Sequence, residues 1–170
     1  IDTAISSYNK LSADAKNIIK RIDTHTYGGS KRAELCALAE REGKNLWMSE
    51  IDVGKTAGTN AGEMAPALCF AQRIITDLNG LKASAWIMWN AIDVHIDRNS
   101  TSKYDAKESL EEIISMTYDD GTVMYDPSKA GYWGIAIADH NNEVIIPTKK
   151  YYAYGQFSRY IRPGYTIMGT

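Results

Sequence analysis

Polar and aromatic side chains stand at the ends of three strand-like stretches of the chain. His25 and Tyr27 stand at the end of the first stretch, Glu50 just after the second, and Trp89 and Asn90 at the end of the third. A glutamate directly after an apolar run is informative, because its carboxylate packs poorly in a core and would project from the strand end. An indole beside a carboxylate suits a pyranose ring, whose C–H face stacks on the aromatic while its hydroxyls bind polar groups. These residue types favour a carbohydrate ligand.

Each of these side chains also has a purely structural interpretation. Glu50 could be a solvated loop residue or form an ion pair with a docked helix, and Trp89 could pack in the core. Trp86 and Trp89 are three residues apart, so a strand would direct them to opposite sides. We expect Trp86 to pack inward and Trp89 to lie at the mouth of the sheet.

Helical and strand-like patterns alternate in the part of the chain that must position these groups. Strands joined by single helices pair in parallel through right-handed crossovers, the pattern of a doubly wound sheet or a (β/α)8 barrel. Because ligands bind at the carboxyl ends of parallel strands, the candidate residues should share one edge of the sheet. The predicted helices span 13–21, 31–42 and 66–78, and the predicted strands span 21–27, 46–48 and 83–89.

Particular residues set the limits of these helices. Ser12 and Ser30 are good N-caps, Pro66 fits the first turn of the third helix, and Asn79-Gly80 would close that helix. The apolar stripe of the third helix is predicted to consist of Leu68, Ile74, Ile75 and Leu78.

The connection over residues 90–147 is far longer than the roughly 2–6 residues usual after a strand in such folds. It must therefore carry structure of its own or serve a function. Beyond it, Thr148 is a helix N-cap and Arg162-Pro163-Gly164 is a stop signal. The elements expected here are a short helix at 105–117, a hairpin of 134–138 with 144–146, and a helix over 149–161.

The composition argues against several classes of partner. The chain carries 19 Lys and Arg against 21 Asp and Glu, which leaves no basic field for nucleic acid or anionic lipid. No apolar run approaches the roughly 18 residues that cross a bilayer. We expect Cys36 and Cys69 to be small core residues, and the spacing of His25, His95 and His140 is not that of metal ligands. Neither a metal nor a cofactor is expected.

The length of 170 residues, 44% of them hydrophobic, is that of one globular domain. Ile1 and Asp2 stand where a signal peptide would have an initiator Met and a basic region. We therefore expect the chain to begin within a longer protein.

Four blocks of sequence, in this order, carry a resemblance to glycoside hydrolase family 30, and within it to the endo-β-1,6-galactanases. The final block is the most specific, because of its Gln-Phe-Ser-Arg-Tyr-Ile-Arg-Pro-Gly ending. The resemblance spans essentially the whole chain. The blocks are Leu46-Trp47-Met48-Ser49-Glu50, Trp86-Ile87-Met88-Trp89-Asn90, Gly131-Tyr132-Trp133-Gly134 and residues 149–164.

The resemblance implies the fold and the role of each candidate residue. Residues 1–164 would be the C-terminal part of a retaining (β/α)8 TIM barrel, its sixth to eighth strands, and 165–170 the start of a truncated β-sandwich side domain. Glu50 resembles the catalytic nucleophile, and Tyr27 the residue that hydrogen-bonds and orients it. The residues implied for substrate binding are His25 beside Tyr27, Trp89 as the floor of the sugar subsite, Asn90 and Trp133.

The sequence departs from the family at the acid/base residue. Retaining hydrolysis needs a second carboxyl group roughly 5–5.5 Å from the nucleophile. The family supplies it from an Asn-Glu-Pro motif on the fourth strand, and that motif does not occur in this chain. Asp52 and Asp93 are considered as substitutes, but nothing in the sequence supports the raised pKa that an acid needs. We expect the chain alone to be inactive.

The resemblance also carries expectations about the whole protein. The parent would be a secreted or cell-surface hydrolase that acts on a β-linked polysaccharide, galactan- or xylan-like. An isolated part of a barrel would expose sheet edges and apolar faces, so we expect the fragment to self-associate.

Two other functions remain open. A non-catalytic carbohydrate-binding module could use Tyr27, Trp89 and Trp133 as a stacking platform. A small nucleotide-binding protein is the third hypothesis, because Gly28-Gly29-Ser30 precedes a helix and could bind phosphate. Both G-x-G-x-x-G and G-x-x-x-x-G-K are absent from the sequence, which weakens that third hypothesis.

Overall fold

A computed structural model describes residues 1–52, 64–99 and 133–168. The predicted helix at 105–117, together with Gly131 and Tyr132 of the third family block, lies outside the described residues. The elements are α1 (Asp2–Asn9), α2 (Ala13–Ile18), β1 (Arg21–His25), α3 (Arg32–Arg41), β2 (Asn45–Glu50), α4 (Met64–Leu81), β3 (Ala85–Trp86), β4 (Ile92–Ile96), β5 (Ala136–Asp139), β6 (Val144–Pro147) and α5 (Lys149–Ser158).

The chain divides into two compact units, which are described separately. The first unit consists of Ile1–Ile51, Arg73–Met88 and Tyr165–Thr170, and the second of Asp52–Gln72 and Trp89–Gly164. The predicted boundary after residue 164 stays a prediction.

The sheet of the first unit has the predicted parallel pairing, in the order β1-β2-β3. Side chains alternate along β1, so that Ile22 and Thr24 are buried while their neighbours are exposed. Parallel strands linked by helices confirm the predicted α/β class. β3 is shorter than the predicted 83–89, because only Ala85 and Trp86 pair with β2.

The early helices agree with the sequence prediction in part. α2 begins after its predicted N-cap Ser12, whose hydroxyl accepts a hydrogen bond from the Ala15 amide at 3.2 Å. It ends at Ile18 and not at residue 21, because Ile19 is extended, and Ile18 itself is exposed. α1 has no counterpart in the sequence prediction. α3 begins after Lys31 and not after the predicted cap Ser30.

α4 is longer than predicted and turns a different face inward. It extends past Asn79-Gly80 to Leu81. Leu68 and Ile75, assigned above to its apolar stripe, are exposed. The face that is buried follows helical spacing through Ala67, Phe70, Ile74, Asp77 and Leu81. The stripe was partly wrong because a carboxylate occupies one position of the buried face.

The core of the first unit lies between its sheet and its helices. α3 contributes Leu35, Leu38 and Ala39, the face predicted from its spacing, and these pack with Leu46 and Met48 of β2. Burial of such side chains stabilises a fold by roughly 1.5–3 kcal/mol each. Other members of this cluster are Ile1, Tyr8, Ile22, Ile51, Leu81 and Ala83.

The second unit contains a three-stranded sheet in the order β4-β5-β6. The predicted hairpin is present, since β5 and β6 pair antiparallel, and Asp139 accepts hydrogen bonds from the amide and side chain of Asn142 in the turn. β4, which the sequence analysis did not predict, pairs with β5 in parallel. α5 follows Thr148 as predicted but ends at Ser158. The Thr148 hydroxyl donates to the Ile135 carbonyl and does not cap the helix.

Among the described residues, no helix combines the length and the apolar character that a membrane crossing requires.

Candidate functional site

Glu50 and Tyr27 meet where two neighbouring parallel strands end. Glu50 is the last residue of β2, and Tyr27 lies two residues beyond the end of β1. The Tyr27 hydroxyl donates a hydrogen bond to Glu50 Oε1 at 3.1 Å. The candidate nucleophile and the residue expected to orient it are therefore in direct contact.

A β-bulge in β2 places Glu50 opposite β1. The register pairs Thr24 with Met48 but His25 with Glu50, so that Ser49 has no partner residue on β1. The Ser49 hydroxyl donates to the Thr24 carbonyl at 3.4 Å. Without the bulge, His25 would pair with Ser49, and Glu50 would lie opposite residue 26, beyond the end of β1. Bulges commonly re-aim a side chain beside an active site in this way.

His25 approaches the same carboxylate oxygen as Tyr27. Its Nδ1 lies 3.8 Å from Glu50 Oε1, an ion pair when the imidazole is protonated. The rings of His25 and Tyr27 lie edge to face, with centroids 6.0 Å apart. The Glu50 side chain is 30% exposed, against 52% for His25, so that the carboxylate is held by protein groups and still reaches solvent.

An open pocket lies beside His25 and Tyr27. Its volume is about 330 Å³, at the lower end of the range for small-molecule sites. Gly29 forms part of the wall in a left-handed conformation, and a Cβ there would stand 2.8 Å from Asp2 Oδ1. Glycine is therefore the residue that this wall accepts. The other lining residues are Ile1, Asp2, Thr3 and Gly28.

Sequence reasoning missed the buried carboxylate of Asp77, which lies on α4 and is 0% exposed. It accepts hydrogen bonds from Thr26 and Arg32 at 2.8 Å each, and from the Trp86 indole at 3.1 Å. Thr26 lies between the two site residues His25 and Tyr27. One signal could have found Asp77: it occupies an apolar position of the α4 stripe, where a lone carboxylate must be paired.

The two tryptophans of the second family block differ as expected. Trp86 is half-buried and packs against the core of the first unit. Trp89, in the second unit, is 51% exposed. The peptide bond that joins it to Asn90 is cis. The Oδ1 atom of Asn90 is buried and accepts no hydrogen bond from the described parts of the chain.

The remaining predicted substrate-binding residue, Trp133, also belongs to the second unit. Its carbonyl accepts a hydrogen bond at 2.9 Å from the amine of Lys150, which is almost completely buried. The structure thus brings His25, Tyr27 and Glu50 together in one unit, and Trp89, Asn90 and Trp133 belong to the other.

The cysteines do not match the expectation of two core residues. Cys69 is exposed on α4, because the buried face of that helix runs through other positions, and Cys36 is only partly buried. Burial raises the pKa of the Cys36 thiol, and its neighbour Glu40 adds to the effect. Within 1–52, 64–99 and 133–168, no three His, Cys, Asp or Glu side chains are grouped as metal ligands.

No protein-family model matches the chain. Two curated proteins are similar to it in sequence. The endo-β-1,6-galactanase of Hypocrea rufa is 28% identical over 172 residues, which is 99% of this chain and 26% of that protein. The exo-β-1,6-galactobiohydrolase of Bifidobacterium longum is 26% identical over 90 residues, 52% of this chain and 6% of that protein. The chain spans about a quarter of the length of the galactanase.

Solved structures show a similar fold. An endo-β-1,6-glucanase superposes with a TM-score of 0.55 at 19% identity, over 94% of this chain and 29% of the other. The SrfJ protein of Salmonella typhimurium superposes with a TM-score of 0.54 at 18% identity, over 96% of this chain and 29% of the other. In both cases the similarity covers nearly all of this chain and less than a third of its counterpart.

Proposed function

We propose that this chain, which is similar to an endo-β-1,6-galactanase along 99% of its length, carries the nucleophile side of a retaining glycosidase active site. The observation that carries the proposal is the 3.1 Å hydrogen bond from Tyr27 to Glu50 at the carboxyl ends of adjacent parallel strands.

Glu50 is the nucleophile in this proposal. One of its carboxylate oxygens attacks the anomeric carbon, and a covalent bond to that carbon forms as the bond to the leaving oxygen breaks. Tyr27 donates a hydrogen bond to the carboxylate and so limits its rotation. A nucleophile held in one orientation needs less reorganisation to reach the attack geometry.

The proposed substrate is a β-linked polysaccharide, galactan- or xylan-like. The names of the two curated relatives, which refer to β-1,6-galactan chemistry, favour galactan. Trp89, Asn90 and Trp133 are proposed to bind the sugar, with the exposed indole of Trp89 stacking on a pyranose face.

We assign β1, β2 and β3 to the sixth, seventh and eighth strands of a (β/α)8 barrel. The support is their parallel order and the extent of the superpositions, which cover 29% of each solved chain. A complete barrel takes roughly 250 residues.

These 170 residues are proposed to lack the acid/base group, since they contain no Asn-Glu-Pro motif. A sugar alkoxide is a poor leaving group without a proton, so hydrolysis of a polysaccharide would stall at the first step. A glycoside with a leaving group that needs no proton should still react with Glu50.

That difference provides the experiment. We expect 2-deoxy-2-fluoro-β-galactosyl fluoride, which releases fluoride unassisted, to add one sugar to the peptide that contains Glu50, as seen by mass spectrometry. Glu50→Gln should abolish the label. Glu34→Gln, at a glutamate whose side chain is 62% exposed on α3, is the matched control and should leave the label intact.

Two results would contradict the proposal. Labelling of another residue would remove Glu50 as the nucleophile. Binding of β-1,6-galactan oligosaccharides with no labelling by the fluoride would favour the non-catalytic carbohydrate-binding module instead.

A further inference from the structure

The carboxylate of Asp77 joins side chains from two elements, α3 and β3, and from the loop that follows β1. Its Oδ1 accepts a hydrogen bond from Arg32 of α3, and its Oδ2 accepts from Thr26 after β1 and from Trp86 of β3. Asp77 is 0% exposed, and Arg32 is the cation that pairs with it. A buried ion pair contributes little net stability, because the cost of desolvating the two charges offsets most of their attraction. The network is better explained by what it holds in place.

Thr26 is the part of this network nearest to the site. Its hydroxyl donates to Asp77, and its carbonyl accepts a hydrogen bond from Arg73 at 2.9 Å. Asp77 and Arg73 are four residues apart on α4, one helical turn, so that one helix face holds Thr26 at two points. Thr26 is itself buried, with 1% exposure. The peptide that carries Tyr27 therefore starts from a fixed position.

Trp86 connects the same carboxylate to the strand that carries Glu50. It pairs with Met48 of β2, two residues before Glu50, and its indole N–H donates to Asp77 at 3.1 Å. The strands on both sides of β2 are thus tied to one buried group. A displacement of Asp77 would be transmitted to Tyr27 through Thr26 and to β2 through Trp86.

We infer that Asp77 is a positioning residue for the nucleophile: it holds Thr26, and through it Tyr27, so that the Tyr27 hydroxyl reaches Glu50. The inference rests on the proposed function of Glu50. Asp77 acts through other residues and is not itself a catalytic residue.

The experiment compares Asp77→Asn with the unchanged chain in labelling by 2-deoxy-2-fluoro-β-galactosyl fluoride. At saturating reagent we expect Asp77→Asn to be labelled about 10- to 100-fold more slowly, since a misplacement of about 1 Å can cost a factor of 100. The reagent concentration that gives half the maximal rate should be unchanged, because the sugar contacts are proposed to come from other residues. Equal labelling rates would overturn the inference and leave the proposed function in place.

Two further variants separate positioning from stability. Thr26→Val keeps the shape of the side chain and removes the hydroxyl, so it should slow labelling, and the double variant should be little slower than Asp77→Asn. Leu38→Ala removes a buried core side chain of α3 and should lower the free energy of unfolding without slowing labelling. Additive effects of the Asp77 and Thr26 changes, or equal slowing by Leu38→Ala, would contradict the inference.

Hydrogen exchange tests the positioning role of Asp77 independently of labelling. If the unchanged chain takes no label, the proposed function is overturned, but the exchange experiment still tests whether Asp77 holds the Thr26 segment. Asp77→Asn should increase amide exchange in residues 25–29 beyond the general increase that Leu38→Ala causes. An increase spread evenly over the first unit in both variants would overturn the positioning role.

Discussion

At the residue scale, the contacts within the candidate site converge on one atom, the Oε1 oxygen of Glu50. Glu50 Oε1 accepts the Tyr27 hydroxyl and faces the His25 ring, and both neighbours come from the end of β1. Hydrogen bonds to charged groups contribute about 1.5–3 kcal/mol, enough to select one carboxylate rotamer. The first unit contains a second pair of the same kind, in which Tyr8 donates to Glu42 at 3.3 Å.

This second pair makes a matched test of Tyr27. We expect Tyr27→Phe to slow labelling of Glu50 by about 10-fold, the factor that corresponds to about 1.4 kcal/mol. Tyr8→Phe removes the same hydroxyl from a tyrosine–glutamate pair and should leave the labelling rate unchanged. The rates are measured by intact-mass spectrometry, and an equal effect of both variants would argue against a role for Tyr27 in orienting Glu50.

At the element scale, α3 and α4 approach each other closely at Gly80, which lies three residues after Asp77 on α4. A Cβ at position 80 would lie 2.9 Å from the Cβ and Cδ atoms of Arg32. Gly155 on α5 offers the opposite case, because a Cβ there would meet nothing within 4 Å. The two glycines are both helical, so that the difference between them is one of packing.

Alanine substitution at these two positions should therefore have opposite effects. Where space allows, replacing a glycine within a helix by alanine raises the free energy of unfolding by about 1 kcal/mol, and we expect this for Gly155→Ala. Gly80→Ala should instead lower the free energy of unfolding by about 1–3 kcal/mol, because Arg32 must move. Urea denaturation measures both, and a stabilised Gly80→Ala variant would show that α3 yields without cost.

The β5–β6 hairpin of the second unit contains a carboxyl group with a lowered pKa, that of Asp139. Hydrogen bonds from Asn142, first from its side chain and then from its amide, lower the pKa of Asp139 below its ordinary value of 3.8. A carboxyl group whose pKa is lowered by folding stabilises the folded state above its unfolded pKa. That stability is lost as the pH falls through the lowered value.

We therefore expect the hairpin amides to lose protection against hydrogen exchange as the pH is lowered below about 3.8. Amide hydrogen exchange as a function of pH measures this loss. Asn142→Ala should weaken this acid dependence, because it removes the side chain that contributes most to the shift. An acid response that survives the substitution would assign the dependence to other groups.

At the scale of the whole molecule, the described residues include edge strands and exposed apolar side chains. Within the described residues of the first unit, β1 and β3 each pair on one side only. Met64, Leu68 and Ile75 of α4 are exposed and follow helical spacing. We propose that the isolated chain self-associates through such surfaces, since exposed apolar helix faces and sheet edges favour pairing.

Light scattering over a range of concentrations tests this association. The mean mass should rise with concentration, and Leu68→Glu with Ile75→Glu should reduce the rise, because charge on the helix face opposes burial. Ser7→Glu, at an exposed polar position of α1, is the control. A single monomeric species at high concentration would contradict the proposal.

Local patterns in the sequence were enough to predict the parallel α/β sheet, the hairpin and the grouping of Glu50 with His25 and Tyr27. These features follow from periodicity and from the rule that parallel strands end at a common edge. The limits of α2 and α4 were less accurate, because tertiary contacts and not propensity decide where a helix stops.

The sequence by itself determined which side chains stand at the strand ends, because the apolar pattern of a strand is formed by residues that are adjacent in the chain. Only the tertiary structure decided how they are held. The bulge at Ser49 aligns Glu50 with His25, and Asp77 anchors Thr26 from 51 positions away. Hydrogen bonds between such distant residues leave no local pattern, since each partner alone resembles an ordinary polar residue. The grouping of these side chains was therefore predictable from the chain, whereas the contacts that hold them are long-range and were not.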